Sequence, residues 1–262
     1  MGVIIVLNSK EILRITHGQF ALDYNCDAGI FEHNGVYFTE NTENRPGRRV
    51  YSDKRPFLEL CVMHDSAVFC SDPAMTPWLR EHFYDADPKW LSEYENLRQI
   101  DKKLNEFGHK IYDTHIFFLP TSHITRIKPK FTTMWYGAAQ INRFRGDDRF
   151  PEAFLFRENT PDSLAVSAID TSGAIMGMAG ASADGGDFWQ IGIDVMPQYR
   201  GRGIAKTLVN NLALEILRMN KVPFYGTAAS HSLSRAVAVK AHFIPSFMTL
   251  YSKKCDAPLA MI

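Results

Sequence analysis

The sequence lacks an excess of charge of either sign, a long apolar run and any closely spaced pair of cysteines. Lysine plus arginine and aspartate plus glutamate both number 29, so the formal net charge is zero. A neutral chain has no overall positive field to attract nucleic acid or an anionic membrane, and we expect neither as a partner. The opening MGVIIVLNSK has no basic start and too short an apolar run for a signal peptide or membrane span. We therefore expect a cytoplasmic protein.

The four cysteines are Cys26, Cys61, Cys70 and Cys255. They form no C-x-x-C pair, and nothing indicates secretion, so free buried thiols are expected rather than disulfides. Cys61, His64, Cys70 and His82 are residue types that bind zinc, but their spacing matches no zinc motif. The sequence therefore predicts no metal site.

A chain of 262 residues exceeds the usual size of one domain, and two domains are expected, with a single large domain as the alternative. The Lys- and Arg-rich stretch 121–150 contains the expected boundary, near residue 125. Residues 1–125 form the predicted N-terminal α+β domain, of unclear role, in which Thr76-Pro77 and Asp87-Pro88 mark helix starts. The second helix is expected to run to Gly108. Residues 126–262 form the second predicted domain.

The second domain has a regular pattern of strands and helices. Two strand-like runs, SLAVSAID and AIMGMAGAS, flank a predicted hairpin turn at residues 171–173. Apolar residues then alternate from Trp189 to Val195, which indicates a strand. From Gly203 to about Met219 apolar residues recur at helical spacing, with Asn210 off the apolar face. A further strand, a helix from Ser232 and a closing strand follow.

The turn QYRGRG joins the strand that ends at Val195 to the following helix. A glycine-rich turn that opens a helix leaves the first N–H groups unpaired at the positive end of the helix dipole, which suits phosphate. Gly201 and Gly203 allow phosphate oxygens to approach the backbone, and Arg200 and Arg202 add positive charge. The P-loop pattern is absent. A dinucleotide site is disfavoured because its third glycine is replaced by Lys206 and the next strand carries no acidic residue.

A third phosphate-binding pattern, Q/R-x-x-G-x-G/A, fits from Gln198 as QYRGRG and again from Arg200 as RGRGIA. With this motif and the order of its strands and helices, the chain from about Ala153 to Lys253 resembles the GCN5-related N-acetyltransferase (GNAT) superfamily. FWQIGIDVMPQYRGRG is similar to a subgroup with an added N-terminal domain. The resemblance implies an α+β protein with a splayed mixed sheet flanked by helices. It also implies acetyl coenzyme A (acetyl-CoA) as co-substrate, between the strand ending at Val195 and the strand starting near Val222.

The resemblance also assigns residues to the cofactor. Main-chain groups of residues 193–195 would pair with the pantetheine arm, amides of residues 200–206 would bind the diphosphate, and Ser234 takes the place of a small residue in the last helix. The implied cofactor-binding residues are Ile193, Asp194, Val195, Arg200, Gly201, Arg202, Gly203, Ile204, Ala205, Lys206 and Ser234.

The residues that carry out the chemistry are less clear. The tyrosine acid common in the family falls on Ala238, and positions that hold a base in some relatives are Ile193, Ile191 and Trp189, none of which titrates. His231 and Asp194 are therefore the candidate catalytic residues, although a cap and a structural carboxylate remain alternatives for them.

We expect transfer of an acetyl group from acetyl-CoA to the primary amine of a small molecule or protein. The alternative is an acyl-CoA-binding sensor or scaffold with weak or no catalysis. Neither the acceptor nor the oligomeric state can be read from the chain.

Overall fold

The computed structural model describes residues 7–50 and 54–255, so the first six residues of the N-terminal stretch considered above lie outside it. The helices are α1 (Ser9–Asp23), α2 (Thr76–Phe83), α3 (Tyr94–Glu106), α4 (Ala138–Ile141), α5 (Ile204–Arg218) and α6 (Ser232–Lys240). The strands are β1 (Gly35–Glu40), β2 (Leu58–Met63), β3 (Ser66–Ser71), β4 (His109–Pro120), β5 (Thr132–Gly137), β6 (Asp162–Ile169), β7 (Ile175–Ser182), β8 (Phe188–Val195), β9 (Val222–Thr227) and β10 (Phe243–Lys254).

The described residues divide into two compact units. The C-terminal unit contains residues 7–16, 49–50 and 118–245, and the N-terminal unit contains residues 17–48, 54–117 and 246–255. The unit boundaries fall within α1, β4 and β10 as well as between elements. The division of the chain at residue 125 stays a prediction.

The N-terminal unit contains five strands and an apolar core. Its strands are ordered β1–β3–β2–β10–β4, with β1 parallel to β3 and β2 antiparallel to both of its neighbours. Leu58 and Leu60 of β2 pack with Leu79 of α2 and Leu104 of α3, and all four side chains are fully buried. Burial of this apolar surface holds the two helices on the sheet.

The long helix predicted from Asp87 is interrupted. Asp87 does cap a turn, since its Oδ1 accepts the N–H of Lys89 at 3.1 Å, but that turn is a 3-10 helix, Pro88–Trp90. Residues 91–93 separate it from α3. Trp90 and Tyr94, both within the range of the predicted helix, are 62% and 75% exposed. The predicted cap at Thr76 is also wrong, because the N-cap residue is Met75 and the Thr76 hydroxyl contacts Ser71 Oγ.

The sheet of the C-terminal unit is mixed. Its strands are ordered β9–β8–β7–β6–β5, and all pairs are antiparallel except β8 with β9, which is parallel. The predicted hairpin turn at residues 171–173 joins β6 to β7, and Gly173 has the positive φ of 88° that the turn requires. The α+β class and the mixed sheet flanked by helices are confirmed.

The two faces of this sheet carry different elements. A Cβ atom on Gly177 would contact Ile204 of α5 at 3.1 Å, whereas one on Gly180 would lie 2.0 Å from the carbonyl oxygen of Ala153. Odd and even residues of a strand point to opposite faces. Helix α5 therefore covers one face of the sheet and the segment 150–154 crosses the other.

Asn210 of α5 was expected off the apolar face but is fully buried. Its side chain accepts the N–H of Ile127 at 2.8 Å and donates to the carbonyl oxygens of Thr125 and Ala241. The chain near residue 125 thus covers this side of the helix. Met219, expected on the apolar face, is 45% exposed just beyond the end of α5.

Three of the four cysteines, Cys26, Cys61 and Cys70, are buried free thiols, and Cys255 is exposed. Within residues 7–50 and 54–255, no helix combines the length and apolar character needed to cross a membrane.

Candidate active site

Strands β8 and β9 pair along only part of their length. The parallel ladder runs from Phe188 opposite Val222 to Ile191 opposite Tyr225. The last four residues of β8, 192–195, continue to pair with β7 up to Val195 opposite Gly177. A gap therefore opens beside the end of β8, on the side away from β7.

The backbone of β8 presents hydrogen-bonding groups to this gap. The N–H of Met196 donates to the carbonyl oxygen of Met176 at 3.0 Å and so continues the hydrogen-bonded ladder between β8 and β7. This bond shows which residues of β8 direct their main-chain groups toward β7. Because alternate residues of an antiparallel pair face the same neighbour, the main chain of Asp194 faces β7 and that of Ile193 and Val195 faces the gap. Ile193 and Val195 are thus placed to pair with an extended ligand. Asp194 instead uses its side chain to bind the backbone of the segment 150–154.

The turn that follows β8 leads to a helix without a side-chain cap. Gly201 and Gly203 have φ values of 77° and 78°, and Gly203 is the N-cap residue of α5. The Arg200 N–H donates to the carbonyl oxygen of Pro197, and the first bond of the helix runs from the Thr207 N–H to Gly203. The N–H groups of residues 201–206 have no acceptor within the described part of the chain. Unpaired N–H groups at a helix start are suited to bind an anion.

Three cationic side chains surround this turn. Arg200 donates from Nε to the carbonyl oxygen of Val195 at 3.2 Å, and the Arg202 guanidinium lies 5.4 Å from the centre of the Tyr199 ring. The side chain of Lys206 folds back, since its Cε atom would lie 3.2 Å from a Cβ atom on Gly203. The turn therefore adds positive charge to the unpaired amides.

The turn is fixed by a contact with the β6–β7 hairpin. The Tyr199 hydroxyl donates to the Asp170 carboxylate at 2.7 Å. Hydrogen bonds from the hydroxyls of Ser172 and Tyr199 hold the pKa of Asp170 well below its usual range. Asp170 thus stays ionised at neutral pH and holds Tyr199 in place.

The segment 150–154 crosses β8 at the gap. A Cβ atom on Gly192 would lie 1.8 Å from the carbonyl oxygen of Glu152, so only glycine allows this approach. Phe150 and Phe154 anchor the segment in an apolar cluster that includes Met178. The sequence alone pointed to neither Glu152 nor this crossing, although a glycine within a strand is a signal of close backbone approach.

The Asp194 carboxylate holds this segment. Its Oδ2 accepts the N–H of Ala153 at 2.8 Å and that of Glu152 at 3.0 Å. Burial raises the pKa of Asp194 and is the largest cause of its shift. The two N–H bonds lower this pKa, and the nearby charge of Glu152 raises it further. Asp194, a candidate catalytic residue from the sequence, thus lies beside the gap with one oxygen already bonded to the backbone.

The start of α6 places the remaining predicted residues. His231 is the exposed N-cap residue, and its side chain makes no capping bond. Ser234 Oγ lies 2.8 Å from the hydroxyl of Tyr225, the last residue of β9 in the ladder with β8. Ala238, where the family resemblance places a tyrosine, is fully buried.

The family comparison agrees with this geometry. Residues 131–238 match the family model described as the acetyltransferase (GNAT) family. The match begins just before β5 and ends within α6, so it contains the gap, the turn and the start of α6. This part of the chain is a GNAT acetyltransferase domain. The residues before 131 form an additional N-terminal region outside the match.

A search of the curated proteins gives no match. Among solved structures, the chain is similar to an acetyltransferase from the GNAT family of Colwellia psychrerythraea, at 12% identity over 95% of this chain and 99% of that one, with a TM-score of 0.44. A GCN5-related N-acetyltransferase-like protein from Streptococcus suis gives 14% identity over 94% and 99%, with a TM-score of 0.43. A structure described as an acetyltransferase from the GNAT family of Novosphingobium aromaticivorans gives 14% identity over 55% of this chain and 66% of that one, with a TM-score of 0.44.

Proposed function

We propose that this protein transfers an acetyl group from acetyl-CoA to a primary amine of a small molecule or protein. The observation that carries the proposal is the parting of β8 from β9 next to a helix start with unpaired amides. An extended arm with a diphosphate at one end fits this combination. The arm pairs with the main chain of Ile193 and Val195, and the diphosphate binds the amides of residues 201–206.

The residues around the gap fit the chemistry of acyl transfer. The Val195 N–H points into the gap, where it can donate to the thioester carbonyl oxygen as negative charge develops there. The cations Arg200, Arg202 and Lys206 offset the charge of the diphosphate. The amine acceptor must lose a proton before its nitrogen can attack, since alkylamines have a pKa of about 10.4. His231 and Asp194 remain the sequence-based candidates for proton transfer.

Release of free CoA tests the proposal. The protein is incubated with acetyl-CoA and a panel of polyamines, amino acids, aminoglycosides and peptides, and thiol is measured over time. An amine-dependent release of CoA is expected with at least one class of acceptor, together with an acetylated amine in the product.

The alternative is a protein that binds acyl-CoA without turnover and acts as a sensor or scaffold. The buried Ala238 in place of the family tyrosine favours it. Calorimetric binding of acetyl-CoA with no CoA release across the panel would support this alternative and reject the enzymatic proposal.

A further inference from the structure

Glu152 is a carboxylate held beside the end of β8 by contacts on its backbone. Its carbonyl oxygen lies against Gly192, one residue before the strand's main chain opens to the gap at Ile193. Its N–H group is bonded to Asp194. The residue is exposed, whereas Ala153 and Phe154, which follow it, are buried. The Glu152 side chain is thus exposed to solvent, while its backbone is held by Gly192, by Asp194 and by the burial of the two residues that follow.

The side chains of β8 that lie on the face covered by α5 cannot supply a base beside the end of the strand. Trp189, Ile191 and Ile193 do not titrate and lie on the face covered by α5. Asp194 is half-buried, and one of its oxygens is occupied by two backbone N–H groups. Asp194 is therefore a positioning residue, and Glu152 is the group that it positions.

The surroundings of the Glu152 carboxylate favour a cation. No Lys, Arg or His side chain within residues 7–50 and 54–255 forms an ion pair with it. Burial is the main cause that raises the pKa of Tyr225, and the charges of Glu152 and Asp194 add to it. The Glu152 backbone lies against Gly192, just past the last paired residue of β8 and β9, and its carboxylate forms no ion pair with the described residues.

We propose that Glu152 binds the protonated amine of the acceptor beside the end of β8 and accepts its proton. The proposal rests on the proposed acetyl transfer and names the residue that activates the acceptor. The alkylammonium gives one proton to the Glu152 carboxylate, and the freed nitrogen lone pair forms the C–N bond with the thioester carbonyl carbon. The C–S bond breaks with its electron pair on sulfur, and the second nitrogen proton ends on the thiolate. Glu152 releases its proton to solvent, so the products are the amide, CoA thiol and one proton.

Kinetics with two acceptors of different basicity test the assignment. Glu152→Gln preserves the shape of the side chain and removes the base, while Glu158→Gln removes a nearby exposed charge as the matched control. With an alkylamine that supports CoA release, Glu152→Gln is expected to lower kcat/KM about 100-fold, the usual loss when a general base is removed. With the corresponding hydrazide, whose nitrogen is already unprotonated at neutral pH, the loss is expected to be below about threefold. Glu152→Asp should recover part of the alkylamine activity.

Binding of the same alkylamine in the presence of free CoA, where no turnover occurs, gives a second readout. Calorimetry is expected to show affinity about tenfold weaker for Glu152→Gln, because a hydrogen bond to a charged group is lost, and unchanged for Glu158→Gln. Equal kcat/KM and equal amine affinity in both variants and the natural protein would overturn the role of Glu152 and leave the acetyltransferase proposal intact. Absence of CoA release from the natural protein with every acceptor would instead reject acetyl transfer itself.

Discussion

Gly192 lies directly beneath the backbone of Glu152, so close that a Cβ atom on Gly192 would lie 1.8 Å from the Glu152 carbonyl oxygen. This contact joins the end of the strand that lines the gap to the segment 150–154. The bonds from Glu152 and Ala153 to Asp194 lie two residues further along β8. One strand thus both lines the gap and fixes the segment that borders it.

Gly192→Ala is expected to displace segment 150–154 and to slow acetyl transfer more than acetyl-CoA binding. A methyl group cannot fit against a backbone carbonyl at this distance, and overpacking of this kind costs about 1–3 kcal/mol of stability. We expect the rate of CoA release to fall about tenfold or more, because a small misplacement of groups near the reacting atoms has a large effect on rate. Steady-state kinetics and calorimetric binding of acetyl-CoA separate the two effects.

Gly186→Ala is the matched control for this change. A Cβ atom there would meet nothing within 4 Å, and Gly186 is exposed in the turn before β8. Its activity and stability should stay near those of the natural protein. An equal rate of CoA release in the two variants would show that the contact between Gly192 and Glu152 has no part in catalysis.

Gly203→Glu is expected to abolish measurable acetyl-CoA binding. The new carboxylate would lie at the helix start where the diphosphate is placed, and like charges repel. Because Gly203 has a φ of 78°, any side chain there also costs about 1–2 kcal/mol of stability. Calorimetry is expected to show a loss of affinity of about 100-fold or more, given the strength of charge-assisted hydrogen bonds to phosphate.

Gly146→Glu separates backbone strain from charge repulsion. Gly146 is exposed, has a φ of 82°, and a Cβ atom there would have open space around it. Both variants should lose similar stability in urea, but only Gly203→Glu should lose acetyl-CoA. Similar affinities in the two would place the diphosphate elsewhere.

The sequence predicts the C-terminal unit better than the N-terminal unit for a physical reason. In β8 and α5 the alternation of apolar residues and the turn chemistry around Gly203 agree, so local signals determine the structure. At Asp87 the local cap signal is correct, but the helix that it caps is a single 3-10 turn that ends at Trp90, whose side chain is largely exposed. The sequence places Asn210 off the apolar face of α5, since nothing local shows that residues 125–127 cover it.

The candidate site shows the same division. The motif turn and residues 193–195 can be proposed from the sequence because they are contiguous in the chain, and their role stays a prediction. Glu152 was missed because it lies 40 residues before Gly192 and meets it only through the fold. The glycines at positions 180 and 192, both inside strands, were the available signal.

Asn210→Ala is expected to destabilise the protein by about 2–4 kcal/mol, because three backbone groups lose the side chain with which they form hydrogen bonds. The N–H of Ile127 and the carbonyl oxygens of Thr125 and Ala241 would be left unsatisfied. Urea denaturation measures the loss, and the exposed Asn159→Ala serves as the control, with a change below about 0.5 kcal/mol. A similar small change for Asn210→Ala would mean that water replaces its side chain in all three bonds.

The stability difference between the natural protein and Asp194→Asn is expected to depend on pH. The pKa of Asp194 is raised in the folded protein, with burial as the largest cause, so the folded state binds this proton more tightly than the unfolded chain. Its contribution to stability is then fully present below the unfolded pKa of about 3.9 and is lost as pH rises through the folded pKa.

The groups that face Asp194 are the N–H groups of Glu152 and Ala153 and the charges of Glu152 and Arg200. Asn keeps an oxygen for the two N–H groups but does not titrate. The free energy of unfolding of the natural protein minus that of the variant, measured in urea, should therefore increase from pH 7 to about pH 4. A difference that stays constant, or decreases toward acid, would show that the two N–H bonds and Arg200 stabilise the charged carboxylate at least as much as burial destabilises it.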